Sequence, residues 1–127
     1  LNCINDSSHV DHYDASGVNH YWLIDPYVVL YENTSQMLRV YKNGHPVFSS
    51  AQASCPQGVG YLDNHIVMFL PKGQVVGVDS RTWREDFEFK LASPPGSKQP
   101  VLLQGDTAYY LNYEGELVSA IILIDLF

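Results

Sequence analysis

The sequence predicts an all-β protein, built as an antiparallel meander of about 11 strands. Short segments rich in Val, Ile, Tyr and Phe are separated by Gly, Asn, Asp or Pro roughly every eight to twelve residues, as consecutive strands and turns are. A strand-rich unit also recurs three times along the chain. No segment has the apolar spacing and length of an ordinary α-helix.

The internal repeat is the strongest of these observations. Residues 21–42, 59–80 and 101–122 align without a gap at offsets of 38 and 42 residues, with apolar or aromatic residues in shared columns. Each copy has a polar tip, at 32–36, 71–73 and 112–115, after which apolar residues resume. We therefore expect a single domain, residues 1–127, with a polar arm at 1–20 and repeats at 21–58, 59–100 and 101–127.

Local patterns define individual elements of each unit. Asn43-Gly44 separates two strand-like runs, and both residue types tolerate the positive φ of a two-residue hairpin turn. Residues 86–90 alternate charge and ring, so Phe87 and Phe89 are expected to face the core of a half-buried strand. Asp25 and Asp63 recur at the start of tight turns, where an Asp accepts backbone N–H bonds.

Two features of the chain resemble a β-propeller blade. One is the gapless repeat. The other is the run Val78-Asp79-Ser80-Arg81-Thr82-Trp83, which is similar to the V-D-x-x-T-G turn of quinoprotein-type blades, with Trp83 in place of Gly. The resemblance implies an incomplete propeller, since closed propellers have four or more blades. A β-sandwich of the same strands is the alternative.

Composition excludes several classes of function. With 46% hydrophobic and 17% charged residues the chain is neither disordered nor a coiled coil. A net charge of −7 disfavours nucleic acid, and no apolar run is long enough for membrane insertion. Cofactors are not expected, because no Gly-rich phosphate loop or dinucleotide motif is present.

Candidate catalytic and metal-binding groups do not form a recognisable motif. His9, Asp11, His12, Asp14 and His20 crowd the first twenty residues, but their spacing matches no closed metal site. The sequence therefore predicts neither a metal nor an enzyme.

The two cysteines bear on the compartment. Cys3 and Cys55 lie outside any CxxC spacing, and an even count in a small Tyr-rich chain favours one disulfide, with two buried free thiols as the alternative. The chain begins at Leu1 without Met, as an exported chain does after removal of its leader, or as a shortened chain does. A periplasmic or secreted location is expected.

The most informative surface is predicted where two classes of loop meet. In a meander, the tips between second and third strands and the connections between repeats emerge on the same side. Residues 93–98 form an irregular connection in which two prolines restrict the backbone. The predicted partner-binding residues are Ser93, Pro94, Pro95, Gly96, Ser97, Lys98, Tyr113, Asn33, Ser35 and Lys72.

These observations favour a non-catalytic protein-binding module. Its specific form would be an exported inhibitor, similar in class and size to the small all-β periplasmic immunity proteins that neutralise cell-wall amidase toxins. A basic secreted hydrolase or toxin is the expected partner, because residues 1–38 contain five acids and no Lys or Arg. The alternatives are a carbohydrate-binding module or small hydrolase using Tyr113, Glu114 and Glu116, or a fragment of a longer propeller.

Overall fold

Three antiparallel sheets follow one another along the chain in the computed structural model, which describes residues 10–124. The first two sheets have four strands and the third has three, each in simple sequence order. Within the described residues the sheets do not close into a barrel, and no helix has the length and apolar character needed to cross a bilayer. The strands are β1 (Val18–Ile24), β2 (Tyr27–Glu32), β3 (Met37–Lys42), β4 (His45–Ala51), β5 (Gly58–Leu62), β6 (His65–Phe69), β7 (Gln74–Asp79), β8 (Glu85–Lys90), β9 (Leu102–Gln104), β10 (Thr107–Leu111) and β11 (Leu117–Ile121).

Residues with positive φ form the tight turns. Asn43 and Gly44 have φ values of 50° and 82°, which confirms the hairpin turn between β3 and β4. Asp63 and Asn64, at 48° and 65°, make the corresponding turn between β5 and β6. Asx residues and Gly are therefore used where the two-residue connections require them.

The turn between β7 and β8 explains how Trp83 can replace glycine. Trp83 has a φ of 57°, the left-handed conformation that Gly adopts most easily, and its N–H donates to the Asp79 carbonyl at 2.7 Å. Its ring stacks on Phe48 at 5.7 Å and meets Tyr27 edge-on at 5.8 Å, both in the first sheet. Aromatic packing between sheets thus compensates for the strained backbone.

Two apolar clusters hold the sheets together. The first lies between the first and second sheets and includes Val29, Tyr31, Ile66 and Val78. The second lies between the second and third sheets, where Phe87 and Phe89 are partly buried, as the alternating pattern of β8 predicts. The first strands of neighbouring sheets, β1 with β5 and β5 with β9, also contact each other.

The repeat is not gapless throughout, contrary to the sequence prediction. Cross-strand pairs of the second sheet recur in the third sheet at a constant offset of 42 residues. The pair Val67 and Gly77, for example, corresponds to the pair Tyr109 and Ser119. Between the first and second sheets the offset changes by one residue after the tip, because the tip of the first sheet is one residue longer. Four residues (33–36) separate β2 from β3 in the first sheet. Only three residues (71–73) lie between Leu70 and Gln74, which are joined by a hydrogen bond.

The described part of the N-terminal arm lies along the first sheet. The Tyr13 ring meets Tyr41 edge-on at 5.2 Å, and Arg39 donates to the Asp14 carbonyl at 3.3 Å. The arm therefore covers the outer part of the sheet face that points away from the second sheet.

Candidate functional site

The tips and inter-sheet connections meet at one edge of the sheets, as the meander topology predicts. They surround a cleft of about 710 Å³, called here the loop cleft. The lining residues come from β1, from both inter-sheet connections and from two tips: His20, Trp22, Ser54, Cys55, Pro56, Gln57, Pro71, Lys72, Ser97, Lys98, Gln99, Pro100 and Tyr113. Four of the predicted binding residues, Ser97, Lys98, Lys72 and Tyr113, are brought together here.

Rings and prolines form the apolar walls of the loop cleft. His20 and Trp22 lie on the same face of β1 and stack with their ring centroids 6.1 Å apart. Tyr113 is 58% exposed, as expected for a residue at a polar tip. Prolines 56, 71 and 100 complete the walls and limit the backbone freedom of the loops that carry them.

The charge of the loop cleft is opposite to that of the whole chain. Lys72 and Lys98 are exposed, and neither makes an ion pair within residues 10–124. Among the described residues that line it there is no Asp or Glu. A protein of net charge −7 therefore presents a locally cationic cleft.

Gln57 joins the two connections behind the loop cleft, a role that the sequence did not reveal. Its side-chain amide donates to the carbonyls of Gly96 and Gln99 at 2.7 and 3.0 Å. Its backbone N–H donates to Phe69, and its carbonyl accepts from Val101. One residue thus fixes the first connection, the second connection and a core strand relative to each other.

The first half of residues 93–98 has a structural role. Pro95 and Gly96 are buried; Pro95 forms a β-bridge with Asn112, and the Gly96 N–H donates to Leu111 at 2.8 Å. Ser93 accepts from Tyr110 and from Asn112, and Pro94 packs beside Gly73. Of this predicted binding loop, the exposed part is Ser97 and Lys98, because residues 93–96 join the second and third sheets.

Asn33 and Ser35 lie on the first tip and do not line the loop cleft. The Asn33 N–H donates to the Asn19 side chain at 2.8 Å, and the Ser35 hydroxyl donates to Glu32. The sequence placed them on the correct edge of the sheets, but on a neighbouring tip.

Cys55 is a free thiol in the structure, and no disulfide is formed at this residue. The expected pairing with Cys3 is therefore not present, and Cys3 itself lies outside the described residues. The Cys55 thiol donates to the Pro56 carbonyl at 3.3 Å, and burial raises the pKa of the thiol. The group stays protonated at neutral pH, so it is a poor nucleophile.

A second polar cluster lies at the opposite edge of the second sheet. The buried His65 ring contacts the Asp63 carbonyl at 2.7 Å and the Asp86 carboxylate at 2.6 Å. Asp79 lies nearby, and the ligand atoms of the three side chains are within 4.8 Å of one another.

Protein groups already satisfy the members of this cluster. Arg81 donates to both Asp79 carboxylate oxygens, and these bonds lower the pKa of Asp79 to about 2. The geometry therefore supports an ion network that ties the turns of the second sheet, rather than a metal site. Of the arm cluster considered from the sequence, His20 lines the loop cleft, and His9 lies outside the described residues.

Comparisons with known proteins define the fold. No protein-family model and no curated protein matches the chain. Among solved structures, BamB from Moraxella catarrhalis is similar, with a TM-score of 0.55 and 19% identity over 81% of this chain and 31% of that one. The fold is that of an incomplete β-propeller. The three sheets are accordingly blades.

Two further structures share this architecture. The computationally designed Ika4 protein has a TM-score of 0.57 and 14% identity, covering 83% of this chain and 66% of that chain. BBS1N, in a crystal structure with ARL6DN, has a TM-score of 0.53 and 13% identity over 75% of this chain and 32% of that chain. The chain thus spans about a third of BamB and of BBS1N and 66% of Ika4.

Proposed function

We propose that the protein is a non-catalytic protein-binding module, whose loop cleft takes an acidic, extended segment of a partner protein. The observation that carries this proposal is a pair of lysines, Lys72 and Lys98, that make no ion pair within residues 10–124 and lie in a cleft to which these residues contribute no carboxylate. Acidic side chains entering the cleft would gain charge-assisted hydrogen bonds without displacing a carboxylate of the described residues.

The apolar walls supply the contact area for such a segment. Trp22 and Tyr113 are the residue types that most often dominate binding energy, because they bury a large area at a low cost in conformational entropy. The Gln57 bonds and the prolines hold the loops in one arrangement before binding, which lowers the entropy lost on association.

The local charge refines the partner expected from the sequence. A basic partner follows from the acidic residues of 1–38, whereas the loop cleft has the opposite sign. A partner that inserts an acidic segment into the cleft and presents basic residues to the acidic arm would satisfy both surfaces.

The specific form of the proposal is an exported inhibitor or immunity protein, periplasmic or secreted, that docks on a secreted or cell-wall-degrading enzyme and blocks it. Burial raises the pKa of the Cys55 thiol, so this lining residue is suited to packing against a partner rather than to attack on a substrate. A stoichiometric fall in the activity of a purified secreted hydrolase on addition of this chain, relieved by Lys98→Glu, would support inhibition. Unchanged activity, with binding retained, would reduce the proposal to a binding module.

A glycan-binding role receives less support. Glu116 accepts a hydrogen bond from the Asn112 side chain at 3.0 Å, so its carboxylate helps to form the tip. Neither Glu114 nor Glu116 lines the loop cleft beside Tyr113.

A peptide series tests the charge preference directly. Labelled peptides of one length, with Glu, Gln or Lys at alternate positions around a common apolar centre, are titrated by fluorescence anisotropy. We expect the Glu peptide to bind best, and each of Lys72→Glu and Lys98→Glu to weaken it about fivefold, since an exposed ion pair contributes up to about 1 kcal/mol.

Lys90→Glu is the matched control, because Lys90 is exposed on β8 and does not line the loop cleft. It changes the net charge by the same amount as the two cleft variants. It should change the affinity only slightly, because salt screens a charge that lies outside the cleft. Equal binding of the three peptides, or equal loss in all three variants, would contradict the proposal.

A further inference from the structure

Each of the three sheets has two faces. The front face is the one that points towards the next sheet along the chain, and the back face is the one that points towards the preceding sheet. The front face of the second sheet includes Val67, Phe69 and Val75, which are at most 1% exposed. They pack against the back face of the third sheet in the second apolar cluster. A front face of this kind is therefore buried when another sheet follows.

The third sheet has the same face, but nothing among the described residues covers it. Tyr109, Leu111 and Leu117 lie 42 residues after those three and hold the same register positions. They are 38%, 40% and 74% exposed. Leu102 and Ile121 extend the patch at 55% and 65%.

This front face carries no charge. Strand alternation and the cross-strand pairs place on it Leu102, Gln104, Thr107, Tyr109, Leu111, Leu117, Ser119 and Ile121. Contiguous apolar patches of this kind mark interaction surfaces in soluble proteins.

Within residues 10–124, nothing covers the inner part of the back face of the first sheet. Tyr21 and Leu23 on β1 are 66% and 70% exposed. The corresponding residues of the second sheet, Val59 and Tyr61, meet the preceding sheet, and the Tyr61 ring lies 5.4 Å from Tyr27. The described residues of the arm cover the outer part of the face around Tyr41 and leave β1 uncovered.

We infer that the front face of the third sheet binds the back face of the first sheet of a second copy of this chain. The two open faces are the two halves of the sheet-to-sheet interface that the chain already forms twice. In such an assembly β9 of one copy lies beside β1 of the next, which continues the row of contacts from β1 through β5 to β9. The uncharged front face allows copies of net charge −7 to approach without burying a charge on that side.

The contact joins two different patches, and this property makes it testable. Sedimentation velocity of the full chain should give a mass that is a multiple of 14.3 kDa and rises with concentration. Leu117→Glu, on the front face, and Tyr21→Glu, on the back face, should each sediment as monomers. Both positions are exposed, so both variants should keep the circular dichroism spectrum of the wild-type chain.

Mixing the two variants distinguishes the geometry. Leu117→Glu retains an intact back face and Tyr21→Glu an intact front face, so an equimolar mixture should form one heterodimer. Association that Leu117→Glu abolishes and Tyr21→Glu leaves intact would mean front-to-front pairing and would overturn the inference. A wild-type chain that stays monomeric at all concentrations would overturn it too.

Tyr113→Glu, in the loop cleft, is the control that separates this inference from the proposed function. It should impair peptide binding and leave the association unchanged, because Tyr113 lies on the tip between β10 and β11, outside the paired strands that form the front face.

Discussion

Replacing Gln57 by Glu removes the donors that join the two connections while keeping the shape of the side chain. In the wild-type chain the amide donates to the Gly96 and Gln99 carbonyls at 2.7 and 3.0 Å. A carboxylate in that place cannot donate and faces two acceptors. We expect the second connection to loosen and the loop cleft to lose its fixed shape.

The size of the effect follows from the two bonds. Each contributes about 0.5–1.5 kcal/mol to folding, so their loss should lower the free energy of unfolding by about 1–3 kcal/mol. Repulsion between the carboxylate and the two carbonyl oxygens places the expected value in the upper half of that range. Binding of the Glu peptide should weaken as well, because Lys98 loses its support.

Urea unfolding followed by tryptophan fluorescence measures this change. The midpoint should fall with an unchanged slope, since the surface exposed on unfolding stays the same. Gln36→Glu is the matched control: its exposed amide makes one 3.2 Å bond to Ala53, and its midpoint should hardly move. Equal midpoints for the two variants would refute the role assigned to Gln57.

Three further predictions concern the second blade. An added Cβ at Gly77 would lie 2.0 Å from the Phe87 ring, so Gly77→Ala should lower the unfolding free energy by about 1–3 kcal/mol. The penalty should vanish in a Phe87→Ala background, as a double-mutant cycle by urea unfolding would show. Trp83→Gly relieves about 1–2 kcal/mol of left-handed strain but loses aromatic packing of larger size, so thermal unfolding should show net destabilisation. The pKa of Asp79, about 2 in the folded chain against an ordinary 3.8, lies low chiefly because of the Arg81 side-chain bond. Asp79 therefore stabilises the fold above pH 3.8, and this contribution is lost as the pH falls through about 2. The free energy of unfolding of Asp79→Asn, measured from pH 5 downward, should be lower than that of wild type, and the difference should disappear near pH 2. A difference that stays constant with pH would contradict this prediction.

Much of the fold was predictable because local rules and the repeat agree. The restart of strands at Met37 and Leu117 and the turn at Asn43-Gly44 lie where the pattern placed them. The one-residue change of offset after the first tip was missed, because Met37 and Leu38 are both apolar and fit either register.

The candidate site was predictable only in part, because several of its residues act through contacts distant in sequence. Gln57 reaches carbonyls 39 and 42 residues away, and no local pattern indicates such a bond. Pro95 and Gly96 have the composition of an exposed loop, yet a bridge to Asn112 buries Pro95. Trp22 has the pattern of a core residue on β1 and packs against the first apolar cluster, yet it also lines the loop cleft.

Mapping the Glu peptide onto the protein by NMR tests the central claim most directly. Backbone amide shifts should change at residues 54, 55, 57, 72, 97–99 and 113, together with the Trp22 indole signal, and the changes should saturate with one peptide per chain. Shift changes confined to the front face of the third sheet, or no changes at all, would contradict binding at the loop cleft.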